Sequence, residues 1–260
     1  MRLRNLGLIG VIALLLSACD SDVRTAKQPS KKTPKKKEKN IVVEPIKDTL
    51  IRNNNVVERL TTYGEKNPET IADVYTRFGK IRIQLFKDTP LHRANFIMLA
   101  KSGYFNGTVF TRAVKNFIAQ GGSAHSYQQV DIQRSIGLYT IPPEMDAGHF
   151  HYKGMIGAAR DYEDNPQKRS DPFVFYFVEG TTYNDEVLDH YEKENGYKYN
   201  SAQRKYYTNN PGAAHIDGEH TVFGKIISGY PVVSKITSVE TDRQDWPIED
   251  LFIDSVIVVR

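Results

Sequence analysis

Cysteine is almost missing from this sequence, since Cys19 is the single one among 260 residues. An intramolecular disulfide is therefore excluded, whatever compartment the protein occupies. The apolar stretch at residues 6–16 is too short for a spanning helix, which needs ~20 residues. The sequence also lacks a glycine-rich phosphate loop, and no turn motif supports a Ser-His-Asp hydrolase. The sequence thus offers no intramolecular disulfide, no phosphate loop and no hydrolase motif.

The net positive charge of the protein comes from one short segment. The formal net charge is +4, but residues 23–47 alone carry nine Lys or Arg against two Glu. The remaining residues, 48–260, therefore have a net negative charge. A nucleic-acid-binding domain needs a basic face on its folded part. We therefore expect no nucleic acid partner.

The first residues are typical of an export signal. Arg2 and Arg4 precede the apolar stretch, which ends in Leu16-Ser17-Ala18-Cys19. This tetrapeptide resembles a bacterial lipobox, in which the cysteine is acylated and becomes the first residue of the mature protein. We expect residues 1–18 to be a lipoprotein signal peptide and Cys19 to anchor the protein in a bacterial membrane, on the extracytoplasmic side. The alternative is a plain signal peptide in which Cys19 is incidental.

A lysine-rich segment follows the cysteine. Residues 20–47 contain eight lysines, with Pro29 and Pro34, and almost no apolar residue before Ile41. Such a segment cannot bury enough surface to offset its ordering entropy, so residues 19–47 are predicted to form a disordered tether. The segment is either a solvated spacer or an adhesive for an anionic membrane surface or envelope polymer.

The rest of the chain has the pattern of a β-rich domain that starts at residue 74, after a weakly patterned extension at 48–73. Ile81, Ile83 and Leu85 alternate with polar residues, as in a half-buried strand. Asp88-Thr89-Pro90 predicts a capped helix start, and Gly103 its end. Six further short strands are predicted at 108–114, 117–121, 155–159, 173–178, 221–227 and 251–259. This pattern favours a sandwich or closed barrel and gives no chemistry by itself.

Residues 108–122, Thr-Val-Phe-Thr-Arg-Ala-Val-Lys-Asn-Phe-Ile-Ala-Gln-Gly-Gly, resemble the cyclophilin signature. Further segments resemble the same family in the same order, namely 79–86, 90–107, 141–144 and 217–226. The likeness covers roughly 74–240. It implies a mainly β fold, a closed eight-stranded antiparallel barrel capped by two helices, the second at 231–238.

The resemblance also implies a peptidyl-prolyl cis-trans isomerase that acts on proline-containing polypeptides of the envelope or outside the cell, as a monomer. No cofactor or metal is expected, because rotation about an amide breaks no bond. The carried-over catalytic residues are Arg112, Phe117 and Gln120. The carried-over substrate-binding residues are Ile118, Tyr176, Ile216 and His220.

Four positions depart from the family pattern. Thr111 replaces the usual His, and His215 stands where some members have Trp. Val174 and Arg160 replace a Gln and an Asn that contact the substrate. An alternative function is therefore a proline-peptide-binding or chaperone-like module with little catalysis. A third hypothesis is a structural envelope protein, in which the tether and a tyrosine-rich segment are the functional parts.

Residues 181–212 form an insertion relative to compact members of the family. A helix is predicted over Asn184–Asn195, ending at Gly196, and four tyrosines follow it. The insertion is either structural or a substrate-recognition element. His149 and His151 would place two imidazoles on one face of a strand, but a third ligand is missing, so a metal site is not expected.

Overall fold

A computed structural model describes residues 50–259 of the protein, so the predicted signal peptide, Cys19 and the lysine-rich tether lie outside the described residues. The described part contains ten strands: β1 (Ile51–Arg52), β2 (Ile71–Thr76), β3 (Gly79–Leu85), β4 (Thr108–Val114), β5 (Ile118–Ser123), β6 (Gly137–Leu138), β7 (Met155–Ala158), β8 (Phe175–Val178), β9 (Val222–Ser228) and β10 (Phe252–Val259). It also contains six helices: α1 (Val56–Lys66), α2 (Pro90–Lys101), α3 (Tyr127–Ile136), α4 (Asp185–Asn195), α5 (Ser201–Asn209) and α6 (Tyr230–Ile236).

Eight of the strands close into an antiparallel barrel, which confirms the predicted fold class. Their order around the barrel is β10-β2-β3-β9-β7-β8-β5-β4, and β10 pairs with β4 to close it. The two short strands β1 and β6 pair in parallel outside the barrel. Closure leaves the barrel sheet without an edge strand, so its backbone groups are paired all the way round.

The barrel interior is filled by the inward side of each strand. Ile81, Ile83 and Leu85 are buried there, as their alternation in the sequence predicts. The two predicted helices are present as α2, which packs on β9 and β10, and α6, which packs on β3. Helix α2 is buried along almost its whole length, from Leu91 to Ala100, because α1 covers its other side.

Helix α2 begins at Pro90, as the sequence predicts, but its capping group is not the predicted one. Thr89 is the N-cap residue, and its side chain makes no capping hydrogen bond. Glu144, 53 residues away, accepts hydrogen bonds from the backbone N–H groups of Leu91 and His92 at 2.9 and 3.0 Å. Asp88 instead accepts a hydrogen bond from the ring of His149. The capping group is thus a long-range one that the local sequence does not reveal.

The extension at 48–73 is structured within its described part. Helix α1 packs on α2, and Arg93 donates hydrogen bonds to the carbonyl oxygens of Gly64 and Asn67. The barrel itself begins at Ile71, three residues before the boundary placed at residue 74. Helices α1, α3 and α5 have no counterpart among the predicted elements. No helix within residues 50–259 combines the length and apolar character needed to cross a membrane.

Candidate active site

The register of the barrel strands places four residues next to one another across the outer face of the sheet. Arg112 on β4 pairs with Gln120 on β5, and Gln120 pairs with Tyr176 on β8. Tyr176 pairs in turn with Gly157 on β7. Because directly opposed residues of antiparallel strands project to the same face, these side chains lie side by side. Gln120, partly exposed, therefore stands between the arginine and the tyrosine.

Strand β8 separates this outer face from the barrel core. Its four residues, Phe-Tyr-Phe-Val, are all buried, and successive side chains point to opposite faces. Phe175 and Phe177 belong to the main core, whereas Tyr176 and Val178 belong to a second apolar cluster. Gly157 is required opposite Tyr176, because a Cβ there would come within 2.3 Å of the tyrosine ring and hydroxyl.

The second apolar cluster brings together the predicted pocket residues. Its buried members are Ile118, Ala159, Tyr176, Val178, Ala213 and Ile216, with Phe117, Met155 and Val174 packed against them. Four of the predicted residues, from three separate parts of the chain, therefore lie in one apolar cluster, which we take as the candidate proline pocket. Ala159, Ala213 and Met155 were not predicted, because small and flexible apolar residues carry no distinctive signal.

Phe117 and Arg112 meet at the lip of this pocket. The β4–β5 hairpin turns at Asn116, which has a φ of 62°, and Phe117 follows with its ring partly exposed. The guanidinium carbon of Arg112 lies 5.5 Å from the centre of that ring. The Nε–H of Arg112 donates to Asp245 at 3.1 Å, across 133 residues of sequence. Within residues 50–259, no hydrogen bond engages the two terminal nitrogens of Arg112, so they are available to a substrate.

His220 forms the opposite side of the site and is held neutral. Its Nδ1 lies 3.0 Å from the carbonyl oxygen of Ala158, which can only accept, so Nδ1 carries the proton. Its Nε2 then accepts a hydrogen bond from the Tyr162 hydroxyl at 2.6 Å. Burial is the main cause that lowers the pKa of His220 to about 3, and nearby His151 acts in the same direction. His220 therefore presents an uncharged aromatic ring to this side of the site.

Two departures from the family pattern, Arg160 and Val174, reduce the number of free polar groups that line the site. Arg160 donates from Nε to the Glu219 backbone at 2.8 Å, pairs with the Glu219 carboxylate and stacks on Tyr162 at 3.9 Å. Burial acts to raise the pKa of Glu219, but Lys168 and Arg160 outweigh it and the pKa is lowered. Val174 packs against the apolar cluster. Polar contacts offered by other members of the family are thus replaced by apolar and paired groups.

His215 packs against Phe117 with its ring tilted. Its ring centre lies 4.7 Å from that of Phe117, and burial lowers the pKa of His215. The Tyr183 hydroxyl of the insertion lies 3.4 Å from His215 Nδ1. A flat aromatic ring therefore supports Phe117 at the position where some members carry Trp.

The two histidines considered as metal ligands are engaged elsewhere. His149 pairs with Asp88 at 2.9 Å, and His151 pairs with Asp217 at 2.7 Å. Residues 149–151 lie outside the strands, so the predicted placement on one strand face is wrong. Among residues 50–259, no group of three or more His, Cys, Asp or Glu side chains is arranged to hold a metal ion.

A closed eight-stranded antiparallel barrel with a guanidinium beside an apolar cluster on its outer face is the arrangement of a cyclophilin-like protein. The family described as cyclophilin-type peptidyl-prolyl cis-trans isomerase/CLD matches residues 71–258. The chain therefore belongs to this family.

Relatives from fungi and bacteria carry isomerase names. The chain is 28% identical to a peptidyl-prolyl cis-trans isomerase-like 2 of Rhizopus delemar, over 75% of this chain and 30% of that protein. It is 29% identical to a putative bifunctional phosphatase/peptidyl-prolyl cis-trans isomerase of Streptococcus pyogenes, over 71% of this chain and 38% of that protein. The chain thus spans about a third of the length of these two proteins. Over the full length of a Staphylococcus saprophyticus putative peptidyl-prolyl cis-trans isomerase, and 77% of this chain, identity is 26%.

Solved structures agree with the fold. A cyclophilin-type isomerase of Cryptosporidium parvum superposes with a TM-score of 0.52 at 18% identity, covering 74% of this chain and 98% of that one. A second structure of that protein, in the presence of the dipeptide Ala-Pro, has a TM-score of 0.51 at 18% identity, covering 73% and 99%. At this identity the likeness concerns the fold.

Proposed function

We propose that this protein catalyses cis-trans isomerisation of X-Pro peptide bonds. The observation that carries the proposal is the Arg112 guanidinium, held by Asp245 at the lip of an apolar pocket and lying 5.5 Å from the Phe117 ring. A pyrrolidine ring is apolar and compact, and the cluster around Ile118 and Ile216 is lined for such a group. The Ala-Pro dipeptide in a related structure supports the same substrate class.

The chemistry requires only that the twisted amide be favoured. Amide resonance gives rotation a barrier of ~18–20 kcal/mol, and the nitrogen lone pair is released only when the bond is twisted. The free terminal N–H groups of Arg112 can donate to that lone pair or to the carbonyl oxygen, an interaction that strengthens in the twisted state. Phe117, Ile118, Tyr176 and Ile216 would hold the proline ring, while the Gln120 amide would bind the substrate backbone. His220, being neutral, adds no competing charge.

A binding module with little turnover is the second candidate, and a particular observation favours it. Val174 contributes to the apolar wall, and Arg160 is turned to Glu219 and Tyr162. Fewer polar groups therefore remain to hold the backbone on the far side of the proline. Such a site would bind proline peptides and accelerate their isomerisation weakly.

An isomerisation assay separates the two candidates. Exchange between the cis and trans forms of a short X-Pro peptide, followed by NMR, should be accelerated by the wild type and lost largely in Arg112→Ala. Arg77→Ala is a matched control, because Arg77 also lies over a phenylalanine, at 5.1 Å, and pairs with a carboxylate, Glu249. A folded wild type that binds the peptide without raising the exchange rate above buffer would establish the binding module instead.

We further propose that the protein works outside the cytoplasm, anchored by acylated Cys19, and serves proline-containing envelope or secreted polypeptides. The support is the Leu16-Ser17-Ala18-Cys19 tetrapeptide after a basic and apolar leader. Cys19→Ser should release the protein from the membrane fraction, with unchanged isomerase activity of the released chain. Membrane association that persists after this substitution would show that another segment, such as the lysine-rich one, holds the protein there.

A further inference from the structure

The insertion packs its aromatic residues around one buried carboxylate. Leu188, Tyr199, Tyr207 and Ala214 form a third apolar cluster of buried residues. Asp217, 1% exposed, lies at its border with the substrate pocket, one residue after the pocket residue Ile216. The hydroxyl groups of Tyr207 and Tyr199 lie 2.5 and 3.0 Å from Asp217 Oδ2. Burial raises the pKa of both tyrosines far above the usual value, so each hydroxyl keeps its one proton. Tyr207 donates to Asp217, whereas the Tyr199 hydroxyl also faces the Ala214 carbonyl oxygen at 2.8 Å and shares its proton between the two acceptors.

The other oxygen of the same carboxylate holds His151. Asp217 Oδ1 accepts from the backbone N–H of His151 at 2.9 Å and lies 2.7 Å from its Nδ1. Because a carboxylate only accepts, Nδ1 carries a proton. The ring of His151 is 1% exposed, and its other nitrogen, Nε2, faces the Tyr176 hydroxyl at 2.9 Å. The hydrogen-bonded chain thus ends on a residue of the proline pocket.

Each member of this chain depends on the next one, because all are buried. A buried donor or acceptor that loses its partner keeps the full cost of its desolvation, so one arrangement of the whole set is favoured. Tyr176 has little freedom of its own, since its ring is pressed against the backbone at Gly157. Its hydroxyl can be satisfied only if His151 is turned correctly, and the orientation of His151 depends on Asp217.

We propose that the insertion 181–212 is a positioning element for the substrate pocket, which acts through the path Tyr207 and Tyr199, Asp217, His151 and Tyr176. His151 and Asp217 are positioning residues in this scheme and do not touch the substrate. The inference rests on the isomerase function proposed above, because the pocket that it positions is the one assigned to the proline ring. The proposal gives the insertion a role different from the two considered from the sequence, which were a purely structural insertion and a direct substrate-recognition element.

A double-mutant cycle on the intact protein tests the path. Tyr207→Phe removes one donor to Asp217 and should lower the catalysed exchange rate of an X-Pro peptide by about three- to tenfold, the range for one hydrogen bond. In the Tyr176→Phe background, where the path is cut, Tyr207→Phe should have no further effect on the rate. Its effect on the urea midpoint should persist in both backgrounds. A rate loss of the same factor in both backgrounds, or no rate loss at all, would overturn the proposal.

Tyr206→Phe is the matched control, since Tyr206 lies on the same helix and its ring stacks on Tyr152, 3.7 Å away, instead of reaching Asp217. The imidazole resonances of His151 in NMR should shift in Tyr207→Phe and stay unchanged in Tyr206→Phe. Equal shifts in both would also contradict the path. Tyr199→Phe, which removes the hydroxyl shared between Asp217 and the Ala214 carbonyl, replaces Tyr207→Phe in the cycle if that variant fails to fold.

The two proposals fail in different ways. A folded wild type without isomerase activity would end the proposed function, and the cycle would then be measured on peptide affinity in the same NMR samples. An active wild type with independent effects of Tyr207 and Tyr176 would leave the function intact and end the inference about the insertion.

Discussion

At the scale of single residues, the proposed site has one charged group, Arg112, and several apolar side chains that would contact the proline ring. Arg112 is the only predicted site residue with a permanent charge, and Asp245 fixes it through Nε alone. Asp245 itself sits in a tight turn, with a φ of 64°, and its carbonyl oxygen accepts from the Ala113 N–H, next to Arg112. The turn is therefore tied to the strand that carries the arginine, which keeps the guanidinium at the pocket lip.

This division predicts different kinetic effects for Arg112 and Phe117. A ground-state amide offers almost no nitrogen lone pair, whereas the twisted amide does, and a hydrogen bond from a charged donor contributes ~1.5–3 kcal/mol. Arg112→Ala should therefore lower the catalysed rate by roughly one to two orders of magnitude, with a much smaller loss of peptide affinity. Phe117→Ala removes contact made in both states, so affinity and rate should fall together.

NMR line shapes for one peptide give affinity and exchange rate in the same experiment. Equal losses of rate and affinity in Arg112→Ala would make Arg112 a uniform binding residue and would contradict the proposed role in the twisted state.

His220 predicts a pH-dependent stability. Its pKa in the folded protein is about 3, mainly because of burial, while the unfolded chain should titrate near the ordinary value of ~6.5. Between these values the unfolded state binds the extra proton, so stability is complete above pH ~6.5 and falls as the pH drops toward 3. Going from pH 7 to pH 5, this single group should cost about 2 kcal/mol of unfolding free energy.

Urea unfolding at the two pH values, compared with His220→Gln, measures this contribution. The variant cannot titrate, so its loss between pH 7 and pH 5 should be smaller than that of the wild type. His190→Gln, which alters a histidine with 71% side-chain exposure, is the control and should behave like the wild type. Parallel losses in the wild type and His220→Gln would show that His220 does not titrate in this way.

At the scale of elements, the barrel is joined to its helices by long-range polar contacts. Glu144 caps α2 with both carboxylate oxygens and also lies 2.6 Å from Nδ1 of His92. The far nitrogen of His92 lies 2.9 Å from the Ser170 hydroxyl. Ser170, His92 and Glu144 thus line up like a hydrolase triad, but Ser170 is 1% exposed and His92 3%, so no substrate can reach them. Their role is to hold the buried helix.

Removing this cap should destabilise the fold without changing the site. Glu144→Ala leaves two backbone N–H groups at the start of α2 without their acceptor, and we expect a loss of roughly 1–3 kcal/mol in unfolding free energy. The exchange rate per folded molecule should stay at the wild-type level. Urea unfolding and the isomerisation assay measure the two quantities.

Glu186→Ala is the control for this prediction, because Glu186 lies exposed in the first turn of α4, where Asn184 already caps the helix. It should change the unfolding free energy little. A Glu144→Ala protein as stable as the control would show that the long-range cap contributes nothing.

At the scale of the whole molecule, the barrel closes without any residue before 50. Strand β10 joins β2 and β4, so the last strand completes the ring that begins at Ile71. Removing residues 1–47 should therefore leave the unfolding midpoint and the isomerase rate unchanged. Removing residues 252–260 should unfold the protein, because both neighbours of β10 would lose their backbone partners.

Circular dichroism and the isomerisation assay on both truncated chains check this pair of outcomes. A chain without residues 1–47 that is inactive or unfolded would place part of the working domain in the lysine-rich segment. A chain without 252–260 that stays folded would show that barrel closure is not required.

Several features of this protein were determined by the sequence alone. The alternation of Ile81, Ile83 and Leu85, the breaks at Pro90 and Gly103, and the ordered motif around Arg112 and Gln120 predicted the strands, α2 and the family. These features are local, because side-chain period, φ restrictions and capping act within a few residues. The family resemblance then pointed to Phe117, Ile118, Tyr176 and Ile216, which the structure brings into one apolar cluster.

Only the tertiary structure decided which distant residues support that cluster and the buried helix α2. Asp245 holds Arg112 from 133 residues away, Glu144 caps α2 from 53 residues away, and Asp217 holds His151 from 66 residues away. The local sequence does not identify these partners. Two residues need only be close after folding to form a hydrogen bond, and the sequence around a polar residue does not show whether it will be solvated or buried. The sequence therefore determined the strands and the residues of the proposed proline pocket, while barrel closure decided which distant polar groups hold these residues and α2 in place.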